Sequence, residues 1–198
     1  MNIGLYFGSF NPIHFGHLII ANEVLNETSL EKIWMIVSPQ NPLKNNTALL
    51  NEYDRLQLVR LAIDGDNRIK AVDIEFKLPK PSFSINTLVY LKEKYPQHNF
   101  SIIMGSDSFQ NIENWKNYSE IISNYPIVVY KRPGFKILKT FNASISVLDT
   151  PLLEISASKI RTAIKNGKSI RYLVPENVLE EIISRRFYRK KLKNTTKK

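Results

Sequence analysis

At 198 residues the chain is long enough for one sizeable domain and short for two. It has no cysteine, which excludes disulfides and thiolate metal sites and suits a reducing, cytoplasmic setting. The formal net charge of +10 suggests a nucleic-acid partner, but the terminal run RRFYRKKLKNTTKK from Arg185 holds most of it, so the body is nearly balanced and no specific nucleic-acid partner is expected.

In chain order, NIGLYF is a strand running straight into a glycine turn. No basic n-region precedes it, so Met1–Phe7 is not expected to be a signal peptide. No apolar run approaches the roughly 20 residues of a membrane span, and no membrane partner is expected. HLIIANEVLNET carries Leu18, Ile19, Ala21, Val24 and Leu25 at helical spacing, and KIWMIVS, rich in β-branched and aromatic residues, is a strand. PQNPLKNNTA, with its prolines, is a loop. LLNEYDRLQLVRLAI returns to helical spacing. IKAVDIEF is strand-like until KLPKPSF breaks it, and SINTLVYLKEKYP is a helix with Ser84 as its expected N-cap. NFSIIMG is a strand ended by Gly105, SFQNIENWKNYSEIISN a set of short helices, and PIVVYKRPG a strand with its turn. ISVLDT is the last strand and SASKIRTAIKNG a helix stopped by Gly167. PENVLEEIISRRFY is the final helix, with Pro175 in its first turn.

Strands alternating with helices of this length predict right-handed βαβ units. The expected fold is a Rossmann-like, doubly wound α/β domain, a mainly parallel sheet with helices on both faces. One such domain is expected over residues 1–188, with a basic tail over 189–198. Ligands of such sheets bind beyond the carboxyl ends of the strands, at the switch point.

The first strand ends in GSFNPIHFGH, which is neither G-x-G-x-x-G nor a Walker loop. Gly8 is expected to permit a tight turn, and Gly16 to let a ligand approach the backbone. A helix beginning near Gly16 would offer unpaired N–H groups and a positive dipole end to an anion. His14 and His17, three apart, can share one side of its first turn. Satisfied core histidines, a zinc site without a legible third ligand, and a phosphate site all remain open from the loop alone.

The pattern G-x-F-x-P-x-H-x-G-H, formed by Gly8, Phe10, Pro12, His14, Gly16 and His17, resembles the signature of the nucleotidylyltransferase superfamily. Far downstream, EISASKIRTAI is similar to that superfamily's I-S-S-T-x-I-R segment through Ile155, Ser156, Ser158, Ile160 and Arg161. Ala157 replaces a serine there, and Ser158 stands for threonine. NEYDRLQLVRLAI, KPSFSINTL, MGSDSFQNIENWKNY, VVYKRPG and RYLVPENV, in that order, resemble bacterial nicotinate-nucleotide adenylyltransferases over nearly the whole chain to about Arg186.

That resemblance implies an enzyme that transfers the adenylyl group of ATP to nicotinate mononucleotide, with Mg²⁺, releasing pyrophosphate. The mononucleotide's own phosphate attacks, so catalysis reduces to aligning two anions and neutralising their charge. By the resemblance, His14, His17 and Arg161 act on the triphosphate, with Ser156 and Ser158 at the β- and γ-phosphates. Gly8, Ser9, Phe10 and Ile155 complete the ATP site. Lys44 would reach the phosphates from a loop where the family commonly has a histidine before a basic residue and this chain has Leu43-Lys44. Asp107 would accept from the ATP ribose, and Gly105 would let the sugar approach. Trp115 would stack on the pyridine ring, with the backbone of Trp115 and Lys116 facing its carboxylate and Thr87 close by. Arg132 would contact the mononucleotide phosphate. No protein metal site is implied, since Mg²⁺ would bridge phosphate oxygens. Plainer roles exist: Trp115 as core, Asp107 as a helix cap, Arg132 as an exposed turn residue. Two other readings stay open, a sibling transferase acting on phosphopantetheine and a non-catalytic RNA-binding protein. Oligomeric state is not legible, and a homo-oligomer is left open.

Overall fold

The computed structural model describes residues 1–40, 42, 49–149, 151 and 154–189. Six apolar stretches form strands: β1 (Asn2–Gly8), β2 (Lys32–Val37), β3 (Ile69–Val72), β4 (Asn99–Gly105), β5 (Ile127–Tyr130) and β6 (Ile145–Leu148). All pair in parallel in one sheet of order β3-β2-β1-β4-β5-β6. Seven helices connect and flank them: α1 (Phe15–Glu27), α2 (Glu52–Ala62), α3 (Ser84–Lys94), α4 (Ser106–Gln110), α5 (Tyr118–Asn124), α6 (Ala157–Lys165) and α7 (Glu176–Ser184). The expected Rossmann-like, doubly wound arrangement is the one found. None of the described helices is long and apolar enough to cross a membrane.

Strand side chains alternate between faces, and both faces are covered, so the strands read as near-continuous apolar runs. Ile33, Met35 and Val37 of β2, with Ile103 of β4, face one core and meet Val24 of α1, Val59 of α2, Ile160 of α6 and Ile182 of α7. Ile3 and Leu5 of β1, with Ile102 and Met104 of β4, face the other and meet Leu88 and Leu91 of α3, Phe109 of α4 and Ile121 of α5. Ile3, Leu5, Ile33 and Ile102 are fully buried, each contributing roughly 1.5–3 kcal/mol of transfer free energy.

Three expected boundaries shift. IKAVDIEF is a strand only to Val72, since β3 pairs on one edge alone and Asp73 (φ −100°, ψ 16°) turns the chain into a 3₁₀ helix at Ile74–Lys77. Ser84 is the first helical residue, not the cap: extended Phe83 holds the cap position and no side chain closes it. Pro175 likewise takes the cap position, one residue before α7. Gly167 ends α6 as expected, with φ 68° just past the C-cap Asn166.

After β1 the chain winds outward through β2 and β3, then returns to β4 on the other side of β1. The carboxyl ends of β1 and β4, Gly8 and Gly105, therefore part to open the switch-point crevice.

Candidate active site

The turn after β1 is not made by a glycine. Phe10 adopts the left-handed region at φ 44°, followed by a cis Asn11–Pro12 bond, while Gly8 still belongs to the strand. What matters at Gly8 is the missing Cβ, which would stand 2.8 Å from the Phe10 ring. That ring, 2% exposed, meets Tyr6 edge-on at 5.8 Å and His17 at 5.1 Å between centroids.

His14 occupies the N-cap of α1 but its side chain makes no cap bond. Its imidazole turns to His17 instead, the ring centroids 3.8 Å apart and tilted by 31°. Gly16 makes room for this: a Cβ there would come within 3.0 Å of two atoms of the His14 ring. The Phe15 N–H is taken by the Leu173 carbonyl (3.0 Å) and the His17 N–H by the His14 carbonyl (2.9 Å). The expected row of free helix amides is thus depleted, and donor capacity at this end rests mainly on the imidazoles.

The three readings of the histidine pair now separate. Among the described residues no three His, Asp or Glu side chains gather into a metal-ligand set. His14 is 5% exposed, yet its Nδ1 has no hydrogen-bond partner, so it is not a satisfied core histidine. Burial first, and the charge of Arg132 second, hold its pKa at about 4, so the ring is neutral at neutral pH. A buried orphan nitrogen beside a cavity suits a ligand.

The start of α6 forms the opposite wall. Ser156 caps the helix, its Oγ accepting from the Lys159 N–H at 3.2 Å. Arg161 reaches across 150 residues of sequence to donate through Nη1 to the Asn11 carbonyl (2.7 Å), and through Nη2 to Ser158 Oγ (3.1 Å). Asn11 is held in turn, its Oδ1 accepting from Tyr188 Oη (2.8 Å) and from the Leu50 N–H (3.3 Å).

The third side comes from β4 and β5. Arg132 Nε lies 3.4 Å from Asp107 Oδ1, its backbone N–H donates to Ser106 Oγ (2.9 Å), and its Nη2 donates to Tyr130 Oη (3.3 Å). Tyr6 Oη donates to Tyr130 Oη at 3.3 Å, and burial raises the Tyr6 phenol well above its ordinary range, so it keeps its proton. Asp107 makes no cap bond in α4; its partner is Arg132.

These walls enclose a cavity of about 380 Å³. Gly8, Ser9, Phe10, His14 and His17 line it on one side, Ile155, Ser156, Ser158 and Arg161 on another, and Asp107 with Arg132 on the third. A second cavity of about 420 Å³ adjoins it, sharing Gly8, Asp107, Ser108 and Tyr130. Gly105, Trp115 and Lys116 line the second cavity, with Ser38, Ser82 and Ser84. The Trp115 N–H donates to the Ile112 carbonyl at 2.8 Å. Lys116 Nζ sits 4.8 Å over the Phe83 ring.

One expected residue is not brought there. Thr87 is 1% exposed and lines neither cavity, because its hydroxyl donates to Glu75 Oε1 (2.9 Å) behind the second one. Lys44 lies outside the described residues, as does the tail beyond Arg189. Arg132 lines the histidine cavity and the boundary, not the Trp115 side. Tyr6, Asn11 and Tyr130 belong to the site and were missed. A tyrosine ending the otherwise aliphatic β5, at position 130, was the available signal for one of them.

The chain matches the cytidylyltransferase-like family model over residues 5–163. It is 49% identical over 189 residues to the probable nicotinate-nucleotide adenylyltransferase of Cytophaga hutchinsonii, covering 95% of this chain and 98% of that one. With the protein of that description from Flavobacterium johnsoniae it shares 50% over 194 residues, covering 96% and 100%. Among solved structures, Plasmodium falciparum nicotinic acid mononucleotide adenylyltransferase complexed with NaAD superposes with a TM-score of 0.81. At 23% identity, over 94% of this chain and 97% of that one, it is a likeness of fold.

Proposed function

The chain belongs to the nicotinate-nucleotide adenylyltransferase family, and from that premise we propose how its two joined cavities share one reaction. The reaction is transfer of the adenylyl group of ATP to nicotinate mononucleotide, giving nicotinate adenine dinucleotide and pyrophosphate. A phosphate oxygen of the mononucleotide bonds to the α-phosphorus of ATP. The bond to the β-phosphate breaks, and pyrophosphate leaves with the electron pair. No enzyme nucleophile intervenes.

In this reading the cavity between the imidazole pair and α6 takes the triphosphate, and the Trp115 cavity takes the mononucleotide. The observation that carries it is their junction at Gly8, Asp107, Ser108 and Tyr130, which lets a phosphate held in one abut a phosphorus held in the other. Holding reacting groups this way replaces an encounter by an alignment.

His14 enters neutral with one N–H to donate to phosphate, and a polyanion against it raises its pKa from that low value. Ser156 accepts from its helix and still has its own O–H to donate to phosphate. Arg161, anchored through one hydrogen on each terminal nitrogen, keeps others for the β- and γ-phosphates. Arg132 stands at the boundary, ready to exchange Asp107 for the mononucleotide phosphate, which frees Asp107 for a ribose hydroxyl. Trp115 offers a flat apolar wall to the pyridine ring. Mg²⁺ brought with ATP would supply charge neutralisation to the phosphates, and Asp107, the carboxylate on the shared wall, would be the side chain to face it.

The test is purified protein with ATP, Mg²⁺ and either nicotinate or nicotinamide mononucleotide, products separated by chromatography. Nicotinate adenine dinucleotide and pyrophosphate in equal amounts are expected. No dinucleotide from either substrate would end the reading.

A further inference from the structure

Arg55, in the second turn of α2, is fully buried, with 0% exposed. No ion pair among the described residues involves it, and Glu52, one turn earlier, pairs with Lys80 instead. Its partners are all backbone carbonyls. Nε donates to Leu50 (2.9 Å), Nη1 to both Ser9 (2.7 Å) and Ser38 (2.8 Å), and Nη2 to Pro39 (3.1 Å). Four of the five guanidinium hydrogens are thereby engaged.

A buried cation without a counter-ion is costly unless hydrogen bonds replace its water, and here charge-assisted bonds do so. Their distribution is informative. Ser9 lines the histidine cavity, and Ser38, just past β2, lines the Trp115 cavity. The parallel ladder joins β1 to β2 as far as Gly8 and Val37, and the Ser38 N–H adds one bond to the Gly8 carbonyl at 2.9 Å. The segments that leave this ladder, Ser9 on one side and Ser38 with Pro39 on the other, are tied to each other through the Arg55 guanidinium.

We propose that Arg55 is a positioning residue for adenylyl transfer, which holds the triphosphate wall and the mononucleotide wall at the separation that in-line attack requires. This rests on the reaction assigned above. In-line displacement tolerates little error in the distance between attacking oxygen and phosphorus, while each substrate alone still fits its own cavity. Disturbing Arg55 therefore lowers kcat far more than it weakens either substrate. A residue that merely stabilised the fold would reduce the folded fraction and leave kcat per folded molecule unchanged.

Arg55→Lys keeps the charge and loses the fork; Arg55→Gln keeps one donor group. Folded fraction is read by circular dichroism, ATP and mononucleotide affinities by calorimetry with each ligand alone, and kcat with both saturating. The expected result for whichever variant folds is a kcat lower by about 30- to 100-fold, with each dissociation constant within about 3-fold of wild type. In Arg55→Ala, methylguanidine added in the millimolar range should restore part of kcat. A kcat per folded molecule within about 2-fold of wild type overturns the proposal, as does a loss traced wholly to the affinity of one substrate. If the wild-type chain run alongside makes no dinucleotide, the reaction itself is what fails.

Discussion

Acid should destabilise this protein through one imidazole. His14 is held at a pKa of about 4, first by burial and second by Arg132, against 6.5 for an ordinary histidine. Unfolding returns the ring to water. Between pH 6.5 and about 4 the unfolded chain thus binds a proton that the folded chain refuses, and stability falls as pH falls through that window. Above it His14 is neutral in both states; below it both are charged and the whole penalty is in place. A pKa gap of about 2.5, at about 1.4 kcal/mol per unit, sets that penalty near 3 kcal/mol, of which about 2 kcal/mol is expressed at about pH 5. His14→Asn removes the titration and keeps a polar side chain. Urea unfolding of both proteins at about pH 7.5 and about pH 5 should show the wild type losing about 2 kcal/mol more than the variant. Equal losses would refute the reasoning. A second variant separates the causes: Arg132→Gln should narrow the difference without abolishing it, since burial is the larger cause.

Trp115→Ala should raise KM for nicotinate mononucleotide by about 10-fold, with KM for ATP within about 2-fold, because only the second cavity loses its wall. Gly16→Ala places a methyl 3.0 Å from the His14 ring on a helix that otherwise favours alanine. Thermal stability should hold or rise while kcat falls by about 10-fold, a split that steady-state kinetics beside a melting curve would read. Ending the chain before Arg189 should leave turnover unchanged, whereas ending it before Phe187 removes the Tyr188 hydroxyl from Asn11. The shorter chain should bind ATP about 10-fold more weakly by calorimetry. Glu75→Ala should lower stability to urea through loss of the buried bond to Thr87, and Glu75→Gln, which keeps an acceptor, should restore most of it; equal effects of the two variants would refute that link.

The fold was legible because its signals are local and repeated. β2 reads KIWMIV and β4 reads NFSIIMG, apolar almost throughout, as strands covered on both faces must be. The lining of the first cavity was legible where the motif carries its own chemistry, at His14, His17, Ser156 and Arg161. It was not legible where a residue acts through backbone. Arg55 sits in a helical run whose arginine reads as an exposed position, and only three-dimensional proximity reveals the carbonyls around it. Thr87 misled for the converse reason: Glu75, from a stretch expected to be strand, folds into a 3₁₀ turn beneath α3 and takes its hydroxyl. Gly8 was expected to make a tight turn, but it has no positive φ and still belongs to β1; a Cβ there would meet the Phe10 ring, as one at Gly16 would meet the His14 ring.

That last point bears on how GSFNPIHFGH keeps its shape. With Phe10 left-handed and Pro12 offering no N–H, the loop cannot continue a ladder, and its carbonyls at Ser9 and Asn11 need other donors. Two arginines from different helices supply them, Arg55 to Ser9 and Arg161 to Asn11. The non-glycine left-handed turn costs about 1–3 kcal/mol, and each charge-assisted bond returns roughly 1.5–3 kcal/mol, so the pair more than offsets the strain. The two bonds differ in consequence. Arg55 is buried and donates to backbone carbonyls, Ser9 among them, while Arg161 opens onto the cavity with hydrogens to spare. Phosphate bound by Arg161 therefore pulls on the same group that fixes the loop carrying His14. The clamp's two halves, far apart in the chain, respond to the triphosphate as one unit, and a lysine at position 161 would hold the anion but release the loop.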